Sequence, residues 1–134
     1  MDKEQAYNAF WSGFGVLAFE ENSVPDDKTI NELIKAGVAS AKYPYIAYQV
    51  ITDDLDRPVY PMASIYDRSD SWERVDRLTH VVSHKIQQMS TIKLDNGRMF
   101  ITKGSPFAQH QLESADLNIR RVILNLGVEF FTEY

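Results

Sequence analysis

The chain has 134 residues, enough for one domain with a sizeable core, and its 44% hydrophobic and 25% charged content is ordinary for a water-soluble fold. It contains no cysteine, which excludes disulfides, thiolate metal sites and cysteine nucleophiles and suits a reducing compartment. A formal net charge of −5 without a dense lysine–arginine cluster argues against a general nucleic-acid binder, and no apolar run nears the roughly 20 residues needed to span a bilayer.

The charged start, Met1 to Gln5, is not followed by the apolar core of a secretory signal. Ala6, Tyr7, Phe10, Trp11 and Phe14 recur at helical spacing, predicting a helix over roughly 2–14 with one aromatic face. Glu20–Lys28 reads as a polar loop. Thr29–Ala36 is a weak helical candidate, with Thr29 and Glu32 as a capping box and Gly37 as its stop. From Tyr45 the period changes to two, giving a strand, and Asp53–Pro58 reads as a turn into a second strand over Val59–Asp67. Pro58 and Pro61 place the start of that second strand at an edge or bulge, because proline donates no ladder hydrogen bond.

Trp72, Val75, Leu78, Val82, Ile86 and Met89 then mark the clearest helix, capped by Ser69 or Asp70, with Arg77, His80 and His84 on its opposite face. Thr91–Leu94 and Met99–Lys103 flank an Asn96-Gly97 hairpin signal. Gly104–Leu117 has no clear period and reads as a long loop. The last segment is a long strand from about Arg120. Its row Val122, Leu124, Leu126, Val128 and Phe130 is apolar, and its other row, from Arg121 to Phe131, is mixed. This order predicts a single α+β domain over 1–134, with an antiparallel or mixed sheet of about four to five strands and helices packed on one face.

Candidate chemistry is sparse. His80 and His84 have the i, i+4 spacing of metal ligands, but Asp76 and Arg77 beside them make a poor third donor, so they read as solvent or interface histidines. Asp53, Asp54 and Asp56 lack the glycine and closing glutamate of a calcium loop and read as a turn. Ser105 and His110 have no elbow or orienting carboxylate around them, and Gly13-Phe14-Gly15 lacks the rest of a phosphate loop. Neither a catalytic residue, a cofactor nor a metal is expected. The tyrosines at 43, 45, 48, 60 and 66 read as cross-strand packing.

Trp11-Ser12-Gly13-Phe14-Gly15, Tyr43-Pro44-Tyr45-Ile46-Ala47-Tyr48, Ser71-Trp72, Gly104–Gln109 and Arg120–Phe130 together resemble small tail-completion and tail-terminator proteins of long-tailed phages and prophages of Gram-positive bacteria. The likeness covers nearly the whole chain, through packing and turn patterns. It implies a non-enzymatic virion protein of the neck, assembled in the host bacterial cytoplasm. Such subunits form a homo-oligomeric ring, commonly a hexamer, that ends tail-tube growth and docks the tail tube to the head connector or stopper proteins. It also implies that DNA passes through the lumen, and that no membrane is involved.

The interface residues expected on this reading are Asp53, Asp54, Asp56 and Arg57 in the turn, Arg77, His80 and His84 on the central helix, and Phe107, Gln109 and His110 in the long loop. Replacing residues 106–112 by a flexible linker is then expected to leave the monomer folded. Two other readings stand beside it: a small cytosolic ligand-binding or catalytic domain with a pocket under the 104–117 loop, and a bacterial interaction module outside any virion.

Overall fold

A computed structural model describes residues 2–50, 58–89, 91–113 and 115–132. The elements run α1 (Lys3–Trp11), a 3₁₀ turn (Ser12–Phe14), β1 (Leu17–Glu20), α2 (Asp27–Lys35), β2 (Tyr45–Tyr48), β3 (Met62–Arg68), α3 (Glu73–Gln88), β4 (Ile92–Leu94), β5 (Gly97–Leu112) and β6 (Ile119–Thr132). The six strands form one mixed sheet in the order β1-β2-β3-β6-β5-β4, with only the β1–β2 pair parallel. The α+β class is as expected, but six strands exceed the four to five read from the sequence. β1 went unread because only Leu17 in it is fully buried, so it carries no alternation.

β6 holds the sheet together. Its residues Ile119–Asn125 pair with β3 while almost its whole length pairs with β5. The apolar row Val122, Leu124, Leu126 and Val128 is buried beneath α1 and α3, together with Ile46, Ile65, Met99 and Ile101 from neighbouring strands. Burying each such side chain contributes roughly 1.5–3 kcal/mol. α3 lays Val75, Leu78, Val82 and Ile86 on this surface, as its spacing predicts. α1 adds Tyr7, Phe10 and Trp11, with Trp11 stacked on Tyr48 of β2 at 6.0 Å and the Tyr48 hydroxyl donating to Asn8 Oδ1 at 2.9 Å.

The helix ends differ in detail from the expected caps. The N-cap of α2 is Asp26, whose carboxylate accepts from the Thr29 amide at 2.9 Å, and Gly37 follows in the left-handed region at φ +83. That amide holds the Asp26 carboxyl below the usual aspartate range, so the cap acts fully at neutral pH and is lost as pH falls through the lowered value. At α3 the N-cap position is Trp72, and neither Ser69 nor Asp70 caps it. Ser71 Oγ instead accepts from the Glu73 amide at 3.1 Å.

Three further readings change in detail, although the β4–β5 hairpin itself forms as its Asn-Gly signal predicts. Leu94 pairs with Gly97, so the β4–β5 turn is Asp95-Asn96, both at negative φ, and Gly97 is the first strand residue. Most of the stretch 104–117 is not a loop: β5 continues to Leu112, with Ala108–Leu112 paired to Arg120–Leu124. A register shift between Lys103 and Ala108 breaks the alternation, and residues 108–112 are all exposed, so no buried row reveals the strand. Replacing 106–112 by a linker would strip β6 of that ladder, and loss of folding is the outcome to expect. The prolines of the second strand do not mark an edge, since β3 lies between β2 and β6. They interrupt its ladder: Val59 and Val128 exchange bonds of 2.9 and 2.8 Å, and Leu126 donates to the Pro61 carbonyl.

The shift at 104 has a local steric requirement. A Cβ at Gly104 would stand 2.9 Å from the Asn125 carbonyl oxygen, on backbone that cannot yield, whereas one at Gly13 meets nothing within 4 Å. Gly104→Ala is therefore expected to destabilise the fold by about 1–3 kcal/mol. Gly13→Ala should change it by no more than about 0.5–1 kcal/mol. Urea unfolding of the two variants checks the contrast.

Candidate interaction surfaces

The expected interface residues fall in separate places. Asp53, Asp54, Asp56 and Arg57 lie outside the described residues. Arg77, His80 and His84 are exposed along the outer side of α3, where Arg77 pairs with Glu73 at 2.6 Å. Gln109 points to the sheet face away from α1 and α3, being the cross-strand partner of Ile123. Phe107 is half-buried against the core, under the Lys103 ammonium at 5.6 Å. His110 turns instead towards the N-terminal end of α3.

There His110 stacks on Trp72 with ring centroids 3.9 Å apart and planes 5° apart, while its Nε2 lies 2.6 Å from Asp76 Oδ1. The Arg120 guanidinium sits 5.4 Å from the same indole and donates to the Leu117 and Asp70 carbonyls. Opposite Arg120 in the ladder is Asp67, fully buried, whose Oδ2 accepts from Arg74 Nε at 2.9 Å. These contacts join β3, α3, β5 and β6 at one corner. Among the described residues no group of three histidine or acidic side chains is placed to hold a metal ion. The sequence reading missed the cluster because its members are spread over residues 67–120 and only register brings them together.

The sheet face away from α1 and α3 carries two further features. At one end Tyr45 stacks on Tyr66 at 5.1 Å, and Arg121 lies 5.2 Å over Tyr66 while its Nε donates to Ser64 Oγ at 3.0 Å. With Glu21, Asn22 and Val24 from the β1–α2 connection leaning over them, they enclose a cleft of about 260 Å³. Burial, with Tyr43 and Tyr66 nearby, pushes the Tyr45 phenol above its ordinary range, so it stays a neutral donor and acceptor. Burial likewise pushes Tyr7 far up and, aided by Glu20, raises Tyr48.

At the other end of that face the side chains are apolar and open. Tyr60 is 76% exposed, Phe131 50% and Met62 42%, and Phe100 meets Phe131 edge to face at 5.1 Å. The Tyr60 ring lies beside Gly127 of β6, where an added Cβ would meet the ring at an ordinary 3.8 Å but Thr102 Oγ1 at 2.7 Å. The mixed outer row of the last strand was the sequence signal for this patch, and Phe131 belongs to it.

Comparison with protein-family models and with curated proteins finds no match for this chain. Among the described residues no helix is long and apolar enough to cross a membrane.

Two of the ion pairs of α3 are expected to differ in weight. Arg74→Ala strands the buried Asp67 carboxylate and should cost about 1–3 kcal/mol. Arg77→Ala breaks an exposed i, i+4 pair and should cost less than about 0.5 kcal/mol. Thermal melts of both variants under one buffer condition separate them.

Proposed function

We propose that the chain is a structural subunit of a phage neck, without enzymatic activity. It assembles into a ring, a hexamer by its resemblance, that terminates the tail tube and docks it to the head connector. Its place is the virion, with assembly in the bacterial cytoplasm, and DNA passes through the lumen of the ring. The resemblance supplies the phage context. The observation that carries the assembly reading is the open patch of Tyr60, Met62, Phe100 and Phe131 on a sheet face that α1 and α3 do not cover. Exposed apolar side chains grouped in this way mark a contact with another macromolecule. Among the described residues the sheet also ends in two strands, β1 and β4, with no further strand beside them, which suits lateral contacts. A net charge of −5 suits a lumen that must not retain phosphates.

A second reading, a small ligand-binding domain, is favoured by the Tyr45–Tyr66–Arg121 cleft. It calls for tight binding of a small molecule without concentration-dependent assembly.

Light scattering coupled to size exclusion, followed by imaging, is expected to reveal rings at high concentration. Deleting the gene from its phage is expected to leave tails of uncontrolled length that fail to join heads. Normal-length tails attached to heads in the deletion strain would overturn the proposal.

A further inference from the structure

A ring requires two different surfaces on each copy, one for each neighbour. The open patch supplies one. The second lies on the opposite side of the molecule, where α1 and its 3₁₀ extension run beside the C-terminal half of α3. Two shallow clefts of about 280 and 270 Å³ share Gly13, Phe14 and Lys85 and so form one groove. Its lining is mainly apolar, with Ala9, Phe14, Val81 and Met89 prominent. Val81 is 49% exposed and interrupts an otherwise polar outer row of Arg77, His80 and His84 on α3. The space beside Gly13 is open, since a Cβ at that position would meet nothing within 4 Å.

We infer that the apolar patch of one copy, with Met62, Tyr60 and Phe131 as its anchors, seats in the α1–α3 groove of the next copy. The inference rests on the ring reading and names its interface. Three observations favour a second copy as the occupant. The patch and the groove lie on opposite layers of the domain, the bare side of the sheet and the outer side of the helices. Docking one into the other leaves the groove of the first copy and the patch of the second available, so the contact repeats and a rotation closes it. A two-fold contact of patch on patch would leave the groove, with Val81, exposed. Charge also matches: the patch contains exposed Glu129, cross-strand partner of Phe100, whereas the groove is lined by His84 and Lys85 and by no carboxylate. Arg98, opposite Phe131, lies at the end of the patch beyond Glu129.

The chain has no cysteine, so single cysteines report contacts cleanly. Met62→Cys and Val81→Cys both replace exposed side chains, and circular dichroism and melting temperature check that each variant folds. With a short bismaleimide, the mixture of the two is expected to give a covalent dimer that neither variant gives alone. The double variant should give a ladder that stops at the ring number. Charge reversal adds a second readout: Glu129→Lys and Lys85→Glu should each raise the assembly midpoint concentration about tenfold, and the double reversal should restore it. Linking within either single-cysteine sample would overturn the head-to-tail contact. Rings in light scattering without linking in the mixture, or reversals without effect on them, would overturn this interface and leave the ring reading intact. A chain that remains monomeric and unlinked at millimolar concentration also overturns the interface, and the deletion strain then decides the ring reading separately.

Discussion

β6 is paired along both flanks while only one of its two rows of side chains is covered, and the rest of the molecule follows from that constraint. Pairing to β3 and β5 fixes the register of both. Because side chains alternate, a slip of one residue would turn Val122, Leu124, Leu126 and Val128 out from under the helices and put Arg121, Ile123 and Asn125 in their place. The hydrophobic penalty of that exchange is several kcal/mol, so one register wins. The same register sets Asp67 opposite Arg120, Tyr66 opposite Arg121 and His110 opposite Val122. Core and surface chemistry are therefore specified together.

One-sided covering has a cost and a use. α1 and α3 close the core on their side. On the other side, aromatic stacking of Tyr45 on Tyr66 and the edge-to-face contact of Phe100 with Phe131 stabilise the sheet, while its Tyr60–Phe131 end stays open to water. Tyr60, Met62 and Phe131 keep much of their apolar area exposed. For a solitary domain this is a liability. For a subunit completed by its neighbours, as proposed, the same exposure would drive assembly.

The corner formed by Asp67, Arg74, Trp72, Asp76, His110 and Arg120 binds the distal half of β5 to α3. A buried carboxylate such as Asp67 is expensive to desolvate, and a single bond from Arg74 offsets only part of that. Its contribution is geometric. The Trp72–His110 stack and the Asp76 contact hold a stretch of β5 that buries no side chain of its own. The long hairpin therefore stays in the sheet up to Leu112, and Gln109, its neighbour on the bare face, is held at a fixed height.

Where a side chain's burial shows as a period, the sequence alone was sufficient. The aromatic face of α1, the apolar stripe of α3 and the alternate row of β6 were all legible, because each element buries one face against the core. The α+β class followed from their order. β1 and the distal half of β5 were not legible, since one holds a single fully buried residue and the other has none past the bulge. Arg77, His80 and His84 were readable as an outer face, but their relation to Val81 and Gly13 was not, because the groove depends on where the 3₁₀ turn after α1 lies beside α3. His110 was noticed, yet its partners Trp72 and Asp76 lie 34 residues and more away in the chain, and only the shifted register of β5 brings them within reach. The last strand carried both kinds of information. Its even row determined the core from sequence, while its odd row acquired meaning only when tertiary packing left it uncovered beside Tyr60 and Met62, because periodicity records which side chains a fold buries and not what the remaining face meets.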